Sequence, residues 1–193
     1  MSQRTRLTPE QRREQLLDLG IRLFAHHSLD EMSIDLVARE AGISRGLLYH
    51  YFGDKTAFRE AVVRRAAEAL VAQTEPPATG EPVERLLHSM AAYVDFVDAN
   101  YEGYVSMVRG AASDPVLREI YDDAFGALGG RIFEAAPDFV PDTPAARLVV
   151  RGWLAMSEEL VLSWKKDPAG LSREDLLGLL AGSLPMLLDS LET

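Results

Sequence analysis

The sequence contains no cysteine and only four histidines among its 193 residues. Disulfide frameworks, thiolate nucleophiles and cysteine-ligated metals are therefore excluded. Two of the histidines, His26 and His27, are neighbours, and no His, Asp and Glu grouping has the spacing of a metal site. A glycine-rich phosphate loop is also missing. This inventory speaks against an enzyme and implies no cofactor. No apolar run reaches the roughly 18 residues that begin to suggest a membrane span. The arginines near the start are not followed by the apolar stretch of a secretory leader. The expected location is the cytoplasm, with no membrane partner. Positive charge is scarce too: 20 Lys and Arg against 30 Asp and Glu leave a net charge of -10 at pH 7.

That charge is unevenly spread. Residues 1–70 hold 11 basic and 10 acidic side chains, whereas residues 71–193 hold 9 and 20. The acidity belongs to the second part, so a polyanion would be met by the first part, through a few placed contacts rather than a broad basic field. Arg4, Arg6, Arg12 and Arg13 read either as an arm that tracks phosphates or enters a minor groove, or as a solubilising tail. With 47% hydrophobic residues the chain can bury one good core, or a small domain joined to a larger one. The breaker-rich run Glu75-Pro76-Pro77-Ala78-Thr79-Gly80 favours two units. The expected division is 1–53, a connecting helix over 54–74, and 75–193.

The periodicity is helical throughout, and about nine helices are expected. Thr8-Pro9-Glu10-Gln11 is a capping box opening a helix to about His27, with Leu16, Leu19, Gly20, Leu23 and Phe24 inward. Asp54 caps a fourth helix ending near Thr74. Pro82 starts a fifth, closed by Asn100, and residues from Tyr101 make a short sixth. Asp114-Pro115 opens a seventh, in which Gly126, Gly129 and Gly130 each cost about 1 kcal/mol relative to alanine. Either another backbone approaches there or the helix breaks. Thr143-Pro144 starts the eighth. Ser172-Arg173-Glu174-Asp175 caps the ninth, in which Pro185 removes the amide that would bond the Ala181 carbonyl, predicting a kink or break near residue 181.

The most informative segment is 33–58. Ser33 caps a short helix with Ile34, Val37, Ala38 and Ala41 on one face. Gly42 supplies the left-handed conformation that reverses the chain, Ile43 enters the core, and Ser44 caps the next helix at once. This is a helix-turn-helix, the unit that places its second helix in a DNA major groove. Leu48 and Phe52 anchor that helix. Arg45 stands at its start, where a guanidinium fork can take guanine O6 and N7. Gly46 permits close approach, and Leu47 can meet a thymine methyl. Tyr49, Tyr51, Ser33 and Lys55 are candidate phosphate contacts, with Ser44 and His50 on the same exposed side. Asp35 and Glu40 are expected to be solvated, since either would repel phosphate.

Ala41-Gly42-Ile43-Ser44, then Leu48-Tyr49-His50-Tyr51-Phe52 and Lys55, resemble the amino-terminal signature of TetR-family transcriptional regulators over roughly residues 8–65. Ser28 stands where that family usually has a glycine, and Thr56-Ala57-Phe58 replaces a more usual acidic-then-leucine run. The resemblance implies an all-α protein with an amino-terminal three-helix DNA-binding domain and a carboxy-terminal ligand-binding and dimerisation domain. It further implies a homodimer, a palindromic double-stranded DNA operator and a small-molecule effector that favours a DNA-free arrangement, with helix four carrying the movement. A repressor is expected. The alternatives are an activator, or a dimeric interaction protein without operator binding.

Aromatic and methionine residues on helices that resemble the pocket-forming ones of this family, Tyr93, Phe96, Tyr101, Tyr104, Met107, Trp153 and Met156, with Trp164 also, are candidate contacts for an apolar or aromatic ligand, and core packing explains most of them equally well. Arg109, Arg151, Glu158 and Glu159 would orient a polar group or form salt bridges. Helices eight and nine are apolar on more than one face, which points to a partner copy. The candidate interface comprises Val149, Gly152, Met156 and Leu160 on helix eight and Gly178, Ala181, Gly182 and Pro185 on helix nine; the small residues would equally serve packing within one chain, and the family resemblance implies a four-helix arrangement between two copies.

Overall fold

The computed structural model describes residues 8–137 and 140–191, so Arg4 and Arg6 of the candidate arm lie outside the described residues. Among the described residues the regular structure is nine α-helices and no strand. They are α1 (Pro9–Phe24), α2 (Ile34–Ala41), α3 (Arg45–Phe52), α4 (Lys55–Gln73), α5 (Pro82–Ala99), α6 (Tyr101–Gly110), α7 (Pro115–Ala135), α8 (Pro144–Lys166) and α9 (Arg173–Asp189). None is long and apolar enough to cross a membrane.

The caps form where side-chain chemistry places them. Thr8 and Gln11 exchange backbone-to-side-chain bonds of 3.2 and 2.9 Å, and Ser172 and Asp175 do the same at 3.1 Å each. The Ser172 bonds hold the Asp175 carboxyl below its usual range. Asp54 accepts from the Ala57 amide at 2.8 Å. The first helix stops three residues short of the expected His27. The His26 amide bonds the Leu23 carbonyl at 3.1 Å in a tightened turn, and His27 Nδ1 lies 3.0 Å from the same oxygen. A side chain that occupies the helix's own carbonyl competes with continuation.

Both doubts about helix continuity resolve toward unbroken helices. α7 runs through Gly126, Gly129 and Gly130. No other backbone crowds them: a Cβ on Gly126 or Gly130 would meet nothing within 4 Å, and one on Gly129 would meet only the Leu154 and Val150 side chains, at 3.5 and 3.6 Å. α9 likewise continues through Pro185 to Asp189. One lost hydrogen bond is tolerated because Leu176, Leu180 and Leu184 are buried along one face, and packing supplies most of a helix's stability.

Packing divides the chain into two compact units, one comprising the chain up to Ala67 with Asn100–Ile120, the other Glu68–Ala99 with the chain from Tyr121 onward. This differs from a division in chain order at residues 53 and 75: α6 and the first turns of α7 belong with the amino-terminal helices. In that unit Leu16, Phe24, Leu48, Phe58 and Val62 are buried to 1% exposure or less. Each such side chain contributes about 1.5–3 kcal/mol through burial.

Two glycines set the packing distances of this unit. A Cβ on Gly20 would lie 2.4 Å from Val62 Cγ2, so α1 and α4 meet at van der Waals range. A Cβ on Gly103 would lie 2.3 Å from the Phe24 carbonyl oxygen, a backbone atom. α6 is thus pressed against the end of α1, and the Leu29 amide donates to Ser106 Oγ at 2.9 Å beside it. Gly103→Ala is expected to destabilise by about 1–2 kcal/mol, because overpacking typically costs 1–3 and exceeds the roughly 1 gained from helix propensity. Urea unfolding measures it; a gain in stability would show that α6 moves aside freely.

In the carboxy-terminal unit Trp153 is the largest fully buried side chain. Its indole Nε1 donates to the Leu180 carbonyl at 3.0 Å and to Ser183 Oγ at 3.1 Å, tying α8 to α9. Ion pairs Arg173–Asp95 and Lys165–Asp98 fasten α9 and α8 to α5 at the surface.

Candidate functional site

α2 ends in a Schellman turn that fixes how α3 leaves it. Gly42 adopts φ 64° and ψ 35°, its amide bonds the Arg39 carbonyl at 3.1 Å, and the Ile43 amide bonds the Ala38 carbonyl at 3.0 Å. A residue with a Cβ would strain this left-handed conformation. Ser33 Oγ accepts from the Leu36 amide at 3.1 Å and Ser44 Oγ from the Leu47 amide at 3.3 Å. Both hydroxyl protons remain able to donate to a phosphate.

α3 then divides by face. Leu48 and Phe52 are buried, with the Phe52 ring edge against Phe58 at 4.9 Å and the Arg13 guanidinium 5.1 Å above it. Ser44, Arg45, Gly46, Leu47, Tyr49 and His50 are all exposed, Tyr51 and Lys55 are half-buried, and Ser33 is half-buried at the start of α2. Leu47 at 36% and Tyr49 at 45% are large apolar-bodied side chains that the fold leaves in solvent. A Cβ on Gly46 would meet nothing within 4 Å. The candidate DNA residues are thus exposed or half-buried, while the anchors Leu48 and Phe52 are buried.

One expectation needs correction. Asp35 is not simply solvated: its carboxylate pairs with Arg45 Nε, from α2 to the first residue of α3. Glu40 pairs with its neighbour Arg39 at 3.4 Å. Both members of the first pair are more than half exposed, so the pair adds little stability. Its consequence is chemical, because a carboxylate on Nε leaves the Nη donors available for other acceptors.

The seven sequence-derived ligand candidates separate. Tyr101, Tyr104 and Met107 lie on α6 in the amino-terminal unit, the first half-buried and the others buried. Phe96 and Trp153 are buried in the carboxy-terminal unit, and Met156 is 37% exposed on α8. Tyr93 lines a cavity of about 380 Å³ in that unit, between α5, α7, α8 and α9. Met90, Leu154, Leu184, Val140, Arg85, Arg131 and Ser157 line it as well. These residues were missed because apolar periodicity marks a helix face as inward without distinguishing a packed core from a hollow. The available signal was an arginine beside an apolar stripe, as at Arg131 next to Leu128 and Ile132. Of the other polar residues considered, Glu158 is buried and accepts from Tyr121 Oη at 2.7 Å, Glu159 accepts from Ser163 Oγ at 2.9 Å, and Arg109 and Arg151 are exposed. No cluster of metal-ligating side chains occurs among the described residues.

Comparison with known proteins bears on this arrangement. The family profile described as "Bacterial regulatory proteins, tetR family" matches residues 16–62, the helices just described. A solved TetR-family transcriptional regulator from Streptomyces coelicolor is 34% identical, superposes with a TM-score of 0.86, and is matched over 95% of this chain and 83% of its own. The chain belongs to the TetR family of transcriptional regulators. It thus falls among helix-turn-helix DNA-binding regulators, not enzymes. A regulator, HbdR from Aromatoleum sp., is 33% identical over 106 residues, 54% of this TetR-family chain but only 46% of the relative's length. The transcriptional activator FasR from Mycolicibacterium smegmatis is 26% identical over 179 residues, 88% of this chain and 79% of that one.

The interface candidates on α8 and α9 fall mostly on open surface. Gly152, Met156, Gly178, Gly182 and Pro185 are exposed, Val149 and Leu160 half-buried, and a Cβ on Gly152, Gly178 or Gly182 would meet nothing within 4 Å. Leu148 (71%), Leu179 (47%) and Met186 (74%) join them. Ala181 is the exception. At 2% exposure it faces inward with Leu180 and Leu184, so it packs this protomer and is not available to another.

Proposed function

We propose that this TetR-family protein is a cytoplasmic repressor that binds a palindromic operator as a homodimer and is released by a small apolar or aromatic molecule held in the cavity of its carboxy-terminal unit. The observation that carries the DNA reading is the two-faced α3: anchors Leu48 and Phe52 buried, reader Arg45 and neighbours Gly46, Leu47 and Tyr49 exposed. Two such helices related by a two-fold axis read half-sites whose centres lie about 34–36 Å apart, or a multiple of that. The apolar, glycine-bearing surfaces of α8 and α9 suit the two-fold contact, since small residues let helices approach closely.

Ligand control follows from linkage. A compound shifts operator occupancy only by its differential affinity for the DNA-competent and DNA-free arrangements, typically 1–3 kcal/mol of coupling. A cavity of about 380 Å³ lies within the range of small-molecule sites. The activator name of one relative favours a second reading in which the same binding recruits transcription, and a reporter fused to the operator distinguishes the two by the sign of its response to deletion.

Fluorescence anisotropy with DNA flanking the protein's own gene tests the DNA reading. A salt-dependent, sequence-selective complex is expected; no complex at low salt would overturn it in favour of an interaction protein. Lys55→Gln should weaken binding evenly across sequences and reduce the slope of log K against log salt by about 1 per protomer. An unchanged slope would remove Lys55 from the phosphate contacts.

A further inference from the structure

Two guanidinium groups line the cavity, and neither pairs with a carboxylate among the described residues. Arg85 donates from Nε to the Pro77 carbonyl and from Nη1 to the Ala135 carbonyl, each at 2.8 Å. Arg131 donates from Nη1 to the Val71 carbonyl and, at 3.4 Å, to Thr74 Oγ1. All four acceptors are uncharged, so these bonds orient the guanidinium planes and leave both positive charges intact. Neither arginine takes part in an ion pair among the described residues. Glu81 and Asp189 also line the cavity, but both are exposed to solvent and pair with neither. Ala135, the acceptor for Arg85, lies one helical turn beyond Arg131 on α7, so both arginines engage the last turns of the same helix's cavity-lining face.

Ser157 provides an independent observation. It is 2% exposed, lines the same cavity, and its Oγ has no hydrogen-bond partner among the described residues. Buried hydroxyls are normally satisfied, so an orphan on a cavity wall is a group that a polar atom of an occupant can meet. Met90, Leu154 and Leu184, in the same lining, are apolar and buried.

From these observations we infer that the cavity selects a carboxylic acid with an apolar body, its carboxylate on the N–H donors that Arg85 and Arg131 leave unbonded and its chain or ring among Met90, Leu154 and Leu184. The planar guanidinium fork matches a carboxylate, and half-buried charge makes the bond stronger than it would be in water. An uncharged compound of the same shape keeps the apolar contacts and forfeits this bond. The inference deepens the effector-site reading and rests on it for its biological meaning, while the chemistry of binding stands separately.

Isothermal titration of the full chain with decanoate and with 1-naphthoate, each against its methyl ester, tests it without any variant. At least one acid is expected to bind about 10-fold or more tightly than its ester. Arg85→Gln and Arg131→Gln should each remove most of that preference while leaving ester affinity within about 2-fold, and circular dichroism of both variants checks that the helices persist. Equal affinity of acid and ester, a preference that survives both substitutions together, or no binding of either acid overturns the proposal. If an acid binds as expected yet leaves operator occupancy unchanged in anisotropy, the carboxylate site stands and the effector reading fails.

Discussion

Replacing Leu148 and Met186 together by glutamate is expected to leave each protomer folded, to abolish the dimer and to lower operator affinity by roughly 10²–10⁴-fold. Both side chains are more than 70% exposed in the single chain. Exposed substitutions away from packed features usually change protomer stability by no more than about 0.5 kcal/mol. In the proposed two-fold assembly the same positions become buried, and the two copies bring four carboxylates into one apolar contact, where desolvation of the charges opposes association. The large effect on DNA follows from avidity: once one α3 is seated, the second half-site is met at high effective concentration only while the copies remain joined. Sedimentation velocity and anisotropy on the same sample separate the steps. A variant that stays dimeric places the interface elsewhere, and a monomer that retains full affinity removes the need for a palindrome.

Arg45→Ala should cost about 1–3 kcal/mol per half-site on the preferred sequence and much less on unrelated DNA, so discrimination falls steeply when both copies are changed. The ion pair with Asp35 adds a contrasting outcome. Asp35→Asn removes an anion from the surface proposed to face phosphates and frees the guanidinium to rotate. Affinity for unrelated DNA is therefore expected to rise while preference for the operator narrows. Competition binding with operator and scrambled duplexes at fixed salt reads both. If Arg45→Ala weakens every duplex equally, Arg45 is a phosphate contact and the base reader is another residue of α3.

The helix-turn-helix was legible because its determinants are local. A cap, an apolar spacing, a glycine needing φ near 64° and a second cap lie within a dozen residues, and each acts through its own backbone. Gly42, Ser44, Leu48 and Phe52 occupy the roles their types predict. The helix boundaries that depended on caps were readable for the same reason. α7 and α9 were harder, since intrinsic cost at glycine and proline is weighed against packing that periodicity alone does not measure.

By itself, the sequence determined the helical register, the placement of the caps and the exposed reading face, all set by interactions between residues at most four or five apart. The tertiary structure alone decided that Asp35 holds Arg45, that Gly103 sits on the Phe24 carbonyl, that Ala181 turns inward, and that Arg85, Arg131 and Ser157 line one cavity with Tyr93. Those relations join residues from different helices, and whether facing side chains fill a space or leave it hollow depends on how whole helices pack, which no local pattern encodes.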